Sequence, residues 1–482
     1  MIKSITQFQT DGVKKLDRIF MDYSMGMEKI AEMVYGVTHV VTDLGLSLIA
    51  EEWSFYDDVL RKRRDLRPGW QIIRTDETTL TTSLGSVRYH KTYFLNKETG
   101  ERRYLLDELM GLEKHARLTE DAVARIYEEA VETSYRKGGK NASITEADVS
   151  KMTVLNKLHP LVFPKVKPKK KKAVPYLYID ADEDHVALQY LEKKGDIKKG
   201  GNHTIMPKDV YVYEGVEDTG GKNRLIGVTH FGGVRDGEEN KALWKEVADY
   251  IESSYDTDAL QKVFLSGDGA QWIKAGVHEV PKAKFVLDRY HMHRYIVAAS
   301  AHLLDSVEDV RGELYRAIHK RKKKMAEGVF DKILAVTGSE SKRKAVDTAK
   351  GYILGNWPGI MESLKEKENY HGCSAEGHIS HVFSDRMSSR PLGWSRVGAD
   401  KMLRLRIYRQ NNGDMLELVR YQKEALPQAA GAEGIELPGS AFIRASHKLR
   451  DKYGDLVEVP VYTIPYPQIK KITALKNHIW GL

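Results

Sequence analysis

The sequence predicts an α/β protein: a mixed five-stranded sheet with flanking helices, interrupted by an all-α insertion and preceded by a mainly helical region with a β-hairpin. Three observations carry this. Apolar residues recur at helical spacing in the first fifty or so positions and again over 290–367; short apolar runs bounded by Gly, Pro and acids fill 175–288; and the hydrophobic period falls to two around 85–106. The length of 482 residues corresponds to about three domains. With 41% apolar residues, 30% charged residues and a mean hydropathy of -0.48, a water-soluble globular chain is expected and a disordered one excluded.

Over 10–52, Val13, Leu16, Phe20, Met27, Ile30, Met33 and Val34 recur at helical spacing and predict two helices. A basic knot follows at Arg61, Lys62, Arg63 and Arg64. Residues 85–95 alternate, meet the Gly-containing stretch 96–100 and resume at 102–106, which predicts a hairpin. Residues 119–136 return to helix, with Thr119 and Glu120 in N-terminal positions and Ala122, Ile126, Ala130 and Tyr135 on one side. Over 144–159 a short helix followed by a second from about Ser150 makes a helix-turn-helix candidate, with Lys151, Thr153, Asn156 and Lys157 facing DNA. An ordinary helical hairpin fits that segment equally well.

The prolines and lysines of 163–174, including Lys169, Lys170, Lys171 and Lys172, read as a basic linker. A solvated tether is the simplest account, and one lying along phosphates serves both purposes. Strands are then expected at 176–179, continuing after an acidic break as 185–189, and at 210–213, 224–230, 261–268 and 284–288, with a helix at 241–250. Three strands, a helix, a strand, a short helix and a strand is the order of an RNase H-like core. The helical stretch 290–367 interrupts it and carries the basic run Lys320, Arg321, Lys322, Lys323 and Lys324. The expected organisation is 1–115 (N-terminal helices and hairpin), 116–162 (helix-turn-helix candidate), 163–174 (linker), 175–292 (core, first part), 293–370 (helical insertion), 371–420 (core completion) and 421–482, to which no chemistry is assigned.

Lys+Arg number 76 against 68 Asp+Glu, an excess of +8 that matters through its clustering. Cys373 is the single cysteine, which rules out an internal disulfide or a Cys-x-x-Cys zinc knuckle and suits a reducing cytoplasm. The N-terminus has no apolar leader and no 18 apolar residues run together, so neither export nor a membrane anchor is expected.

Phosphodiester chemistry without a covalent intermediate needs an activated oxygen nucleophile and a place for leaving-group charge. Two Mg²⁺ ions about 4 Å apart supply both when carboxylates converge on them from separate elements. The acids that end strands here are Asp180 and Asp182 in the first, Asp268 after the fourth, and Glu376 after the helical interruption. Each alone is more often a turn or cap residue. Asp268 stands out because Gly267 and Gly269 on either side let backbone and metal approach closely. Ile379, Phe383 and Met387 predict a helix in which Glu376, Ser380 and Phe383 share a face, pointing the carboxylate toward the sheet. Arg386 and Arg390 could hold phosphates in a fork. His378 and His381, with His371 and Cys373 upstream, match no zinc spacing, and solvated side chains are the simpler reading. Asp288 and His291, three apart after the fifth strand, read either as an oriented His near the scissile phosphate or as a helix cap beside a surface His.

The motifs at 178–189, 266–273 and 376–394, in that order, resemble bacterial DDE transposases of the ISLre-two insertion-sequence family, as do 104–112 and 476–482. The resemblance spans the chain. It implies an RNase H-like catalytic domain with two divalent metals, Mg²⁺ or Mn²⁺ as substitute, held by Asp182, Asp268 and Glu376, with Asp180 as the rival for first place. Asp288 and His291 resemble an element that mutator-like and hAT-like transposases carry between the second Asp and the Glu. Those relatives also insert a helical domain there, in keeping with the 108 positions from Asp268 to Glu376. The implied reaction is metal-assisted hydrolysis at the element's ends followed by attack of the freed 3′-hydroxyl on target DNA. Its partner is double-stranded DNA, gripped by the basic runs in a bacterial cytoplasm, with the N-terminal region reading the terminal repeats and at least a homodimer joining two ends. A structure-selective nuclease of the same fold and a catalytically silent DNA-binding derivative are the competing readings. The N-terminal region and insertion argue against the first, and the presence of all three acids against the second.

Overall fold

The computed structural model describes residues 3–145, 149–190, 204–220, 223–374, 380–388 and 393–425, which fall into two compact units divided between Thr119 and Glu120.

In the first unit, α1 (Lys3–Gln7), a π-helical turn (Phe8–Gly12), α2 (Val13–Ser24) and α3 (Ile30–Lys62) precede β1 (Trp70–Thr81), β2 (Ser86–Asn96), β3 (Arg102–Tyr104) and α4 (Leu105–Leu109). The three strands form an antiparallel sheet in sequence order. The expected hairpin is β2–β3, where the Asn96 side chain accepts the amides of Glu98 and Thr99 and Gly100 turns at φ 72°. β1 was not expected, because only Trp70 and Leu80 along it are buried and the rest is Thr-rich and charged, so no apolar alternation marks it. α3 runs about ten residues beyond the expected helix end, since Trp53, Tyr56, Val59 and Leu60 continue its apolar side against Trp70, Leu80, Val87, Tyr89 and Phe94. By length and composition α3 is long and apolar enough to cross a membrane. Its second half is the core helix of this unit, while Ile30, Val34, Tyr35 and Val41 in its first half are exposed.

The second unit opens with α5 (Glu120–Glu132), α6 (Tyr135–Lys140) and α7 (Lys151–Leu158). The single helix expected through 136 breaks at Ser134, whose hydroxyl caps α6 by accepting the Lys137 amide, and Ser150 caps α7 in the same way through Thr153. In α7 Val154 and Leu158 are buried and Lys151 and Asn156 exposed. Residues 146–148, where the first helix of the helix-turn-helix candidate is expected, lie outside the described residues.

The stretch 163–174 is no free tether. Lys172 exchanges backbone hydrogen bonds with Ser254 and Asp256 (3.0 and 2.7 Å), its ammonium pairs with Glu214 (3.0 Å), and the Lys169 ammonium donates to the Gly227 carbonyl (2.8 Å). Two lysines assigned to phosphates thus have partners within the unit, and the segment lies inside it.

Among the described residues, β4 (Tyr176–Glu183), β5 (Val186–Ala187), β6 (Thr204–Ile205), β7 (Lys208–Tyr213), β8 (Gly215–Asp218), β9 (Asn223–Ile226), β10 (Thr229–Gly233), β11 (Lys262–Gly267) and β12 (Ala283–Leu287) follow the first three strands. The central sheet has the order β10-β7-β4-β11-β12, with β4, β7 and β10 antiparallel in turn and β4, β11 and β12 parallel. The acids do not interrupt the first strand: β4 runs unbroken through Asp180 and Asp182. The run expected at 224–230 is divided at Gly227, φ 68°, into a hairpin strand and a sheet strand. Leu177, Ile179 and Ala181 face the core formed with Val210, Val212, Val263 and Leu265 and with Leu243, Trp244, Val247 and Ile251 of α8 (Glu239–Ser254). By the period of two, Tyr178, Asp180 and Asp182 face the other way. α9 (Gln271–Glu279) joins β11 to β12.

The insertion comprises α10 (Arg289–Ser300), α11 (Val307–His319), α12 (Lys323–Val336), α13 (Glu340–Gly355) and α14 (Trp357–Lys365), packed on a core of Ile296, Leu314, Phe330, Ile333, Val346 and Ile353. A π-helical turn (Ser380–Ser384), α15 (Arg396–Gln410) and α16 (Met415–Ala425) complete the described chain. Residues 375–379, where the helix carrying Glu376 is expected to start, lie outside the described residues.

Candidate active site

Strand register alone brings the acids together. Asp180 pairs with Tyr211 on β7 and Ser266 on β11, and Asp182 pairs with Asp209. Two residues beyond Ser266, just past the end of β11, lies Asp268, and the Asp288 amide donates to the Gly267 carbonyl (2.9 Å) as β12 ends. With side chains alternating, Asp209, Asp182, Asp268 and Asp288 form a row across four adjacent strands on the face opposite α8.

Asp182 is 9% exposed and its Oδ1 accepts the Glu183 amide (2.8 Å). Asp268 is half-buried on a tight turn in which its Oδ1 accepts the Ala270 amide (2.8 Å) and its carbonyl accepts the Tyr352 hydroxyl of α13 (2.6 Å). Gly269 has φ 90° and a Cβ there would lie 2.7 Å from Asn356 Oδ1, so the turn requires glycine. The insertion therefore buttresses the Asp268 turn directly.

Both readings of Asp288 hold at once. It caps α10 by accepting the Tyr290 and His291 amides, and its Oδ2 lies 2.8 Å from His291 Nδ1. The hydrogen bond to Asp288 raises the His291 imidazole above its ordinary value against the opposing effect of burial, and the charges of Asp288, Asp182 and Asp268 add to the rise. His291 thus senses three acids of the row, Asp288, Asp182 and Asp268.

Asp180 is fully buried. Its Oδ2 accepts the Tyr211 hydroxyl (2.9 Å), the Tyr213 hydroxyl (3.3 Å) and both the amide and hydroxyl of Ser374 (2.8 and 3.1 Å). Burial pushes its carboxyl up to about 6 despite these donors. Of the two rivals, Asp182 is the one level with Asp268.

Sequence reasoning missed Asp209 and His230. The Asp209 side chain is wholly buried with Oδ1 3.3 Å from His230 Nδ1, and the His230 ring packs on Tyr211. The available signal was a Lys-Asp pair directly before an apolar strand, which reads as a strand start.

Glu376 and Arg390 lie outside the described residues, as does His378. Arg386 is not turned to a phosphate: it is buried, donates to the Ala130 carbonyl (3.3 Å) and sits 4.8 Å over the Trp394 ring. Among the DNA-facing candidates, Arg61 and Lys62 end α3 beside Asp58, Arg63 pairs with Asp65, and Arg64 is exposed. Lys157 is half-buried on α7, Lys170 and Lys171 are exposed, Lys320 and Lys322 are exposed between α11 and α12, and Arg321 donates to the Leu364 carbonyl (3.0 Å).

Residues 24–425 match the family described as Uncharacterised protein family (UPF0236). The chain belongs to the UPF0236 family. Among relatives, UPF0236 protein TTE2489 of Caldanaerobacter subterraneus subsp. tengcongensis is 37% identical over 402 residues, covering 83% of each chain. The UPF0236 protein TTE0610/TTE0881/TTE1053/TTE2432 of the same strain is 36% identical over 416 residues, 86% of this chain and 85% of that one. UPF0236 protein in vanSb 3'region of Streptococcus gallolyticus is 23% identical over 358 residues, 71% of this chain and 75% of that one. A solved structure, the Drosophila P element transposase strand transfer complex, aligns over 71% of this chain and 94% of its own at 11% identity, with a TM-score of 0.23.

Proposed function

We propose that this UPF0236 protein is a DNA transposase of the ISLre-two insertion-sequence family, with an RNase H-like core that cuts element ends and joins them to target DNA. The observation that carries the reading is the row of Asp182 and Asp268, with the Asp288–His291 pair beside it, at the ends of the central strands. A five-stranded sheet with its first strand in the middle, three strands antiparallel and two parallel, supports the RNase H-like assignment. So does the place of the helical insertion between Asp268 and the segment of Glu376. One relative's name joins eleven designations from a single strain, a pattern suited to a protein encoded repeatedly by a mobile element.

Asp182 and Asp268 offer hard carboxylate oxygens, the donor type Mg²⁺ and Mn²⁺ take. Among the described residues no group of three acids, histidines or cysteines is set to hold a metal, and the third ligand in this reading is Glu376. Two divalent ions held there supply nucleophile activation and a sink for leaving-group charge. Asp288 fixes the His291 ring and favours its protonated form, so that the imidazolium can donate to a phosphate oxygen beside the acids. Exposed Lys151, Asn156, Lys170, Lys171, Lys320 and Lys322 contact phosphates and bases of double-stranded DNA. Joining two ends in one complex requires at least a homodimer.

The test is Mg²⁺- or Mn²⁺-dependent cleavage of DNA carrying the element's own ends, comparing wild type with Asp268→Asn and Glu376→Gln. Nicking at the ends that both substitutions abolish is the expected result. Binding of the ends with equally negligible cleavage by all three proteins would overturn the enzymatic reading in favour of a DNA-binding protein.

A further inference from the structure

Asp209 is the most deeply buried acid of the row. Its side chain is inaccessible, Oδ1 lies 3.3 Å from His230 Nδ1, and Oδ2 has no hydrogen-bond partner among the described residues. A buried carboxylate oxygen left unmet costs stability. On β10 the residue opposite Asp209 is Gly232, which brings no side chain and where a Cβ would collide with the Lys208 carbonyl oxygen. On β4 the residue opposite is Asp182, with a Cβ separation of about 4.5–5.5 Å in such a pair, and like charges directly across a ladder add to the cost. The partner on Oδ1 is itself held: the Asn411 side chain accepts the His230 amide and donates to the His230 carbonyl (2.8 Å each), and the His230 ring packs on Tyr211. Asp209 is thus oriented through one oxygen and unmet at the other, in the row position next to Asp182.

We propose that Asp209 belongs to the metal site as the acceptor of a metal-bound water, with His230 as its positioning residue. The inference rests on the reading of Asp182 and Asp268 as ligands of Mg²⁺ or Mn²⁺ and adds an acid to that site. Mg²⁺ gives up its water reluctantly and keeps several molecules when carboxylates bind it. Those waters donate hydrogen bonds, and a buried carboxylate oxygen with no protein donor is the acceptor they need. The role is toward water rather than the ion, because among the described residues no three acids, histidines or cysteines are set to hold a metal directly, and a bridging water adds about 3 Å of reach. His230 occupies Oδ1 and so leaves Oδ2 for the water, as a partner behind a metal-site group fixes its orientation. The same arrangement offsets both costs of the burial: a cation relieves the repulsion between Asp182 and Asp209, and its water supplies the missing donor. Asp180, by contrast, takes donors from Tyr211, Tyr213 and Ser374 on one oxygen and is tied into the sheet face.

The test is Mn²⁺ binding to the full chain without DNA, read from the electron paramagnetic resonance signal of the free ion. Asp209→Asn keeps an oxygen for His230 and puts an amide N–H where the water needs an acceptor, so Mn²⁺ affinity should fall about tenfold to a hundredfold, the range for losing an outer partner at a metal site. His230→Phe keeps the packing on Tyr211 and releases the carboxylate; it should lower affinity about threefold, the small end of a lost hydrogen bond, and it keeps the test valid if Asp209→Asn does not fold. Asp57→Asn, at a buried acid of α3, should bind Mn²⁺ as wild type does. Folded Asp209→Asn and His230→Phe proteins with wild-type affinity overturn the role of Asp209, and a loss in the first without one in the second overturns His230 as its positioning residue. A matching loss in Asp57→Asn would make the effect one of stability and overturn the assignment. Wild type that binds no Mn²⁺ overturns the metal-dependent reading of Asp182 and Asp268, and this inference with it.

Discussion

In the first unit Asp57 sits 2% exposed on α3 and gives one oxygen to the Thr92 amide (2.8 Å) and the other to the Thr92 hydroxyl (2.6 Å). In the second, Asp182, Asp209, Asp268 and Asp288 stand side by side across four strands. A buried carboxylate whose oxygens are both met by one neighbour's donors is a tie between helix and sheet, and needs no further explanation. Neighbouring carboxylates repel, so gathering them costs stability that a bound cation or substrate chemistry would recover. The contrast separates acids that hold structure from acids held in readiness, and Asp180 and Asp182 show both kinds within one short stretch.

The largest expected effect is on catalysis. Asp182→Asn or Asp268→Asn should reduce end cleavage about a thousandfold or more, the scale of several kcal/mol of lost transition-state stabilisation, while urea melts show stability unchanged or raised because like-charge repulsion is relieved. Asp57→Ala should do the opposite. Leaving the buried Thr92 amide and hydroxyl without their acceptor should cost the first unit about 2 kcal/mol, read from the urea midpoint, with cleavage per folded molecule retained. Burial raises the Asp57 carboxyl above its ordinary value, against the lowering by Thr92. The folded state therefore holds its proton longer, and the stability Asp57 contributes falls as pH rises from the ordinary carboxylate range through the raised one.

Much of this was legible in the chain. The central strands announce themselves by short apolar runs, and Asp268 by the glycines around it, because a buried parallel strand and a tight turn each constrain residue type strongly. β1 was not, since a strand with one wet face and few buried positions leaves no apolar period. Nor was the break at Ser134, where a cap interrupts an otherwise helical pattern. Asp209 and His230 escaped for another reason: their meeting depends on the pairing of β7 with β10, and register is a tertiary fact that spacing along the chain does not encode. The same holds for Tyr352, remote in sequence from Asp268 yet bonded to its carbonyl. Arg386 was misread because an arginine near an active-site motif suggests phosphate, whereas here its guanidinium lies between Ala130 and Trp394.

A smaller effect is expected at the seam between insertion and sheet. Tyr352→Phe removes one hydrogen bond to the Asp268 turn and should lower stability by about 1 kcal/mol and cleavage by about tenfold, with binding of end DNA unchanged by gel shift. A similar loss in both binding and cleavage would mean that the insertion, rather than the turn, depends on this bond.

The finest test asks whether the row behaves as one electrostatic unit. The His291 imidazole should titrate above its ordinary value in an NMR pH series, since the Asp288 hydrogen bond and the neighbouring acids favour its charged form. Its contribution to stability is accordingly full below about pH 6.5 and disappears as pH rises through the folded-state value. Asp288→Asn should bring the titration down most, Asp182→Asn and Asp268→Asn by less, and Asp57→Asn not at all. Added Mg²⁺ should also bring it down, because a cation between Asp182 and Asp268 cancels the field His291 senses. If the substitutions in the row leave His291 where it was, the acids share a sheet face without sharing a site, and the difference drawn between the two units loses its chemical meaning.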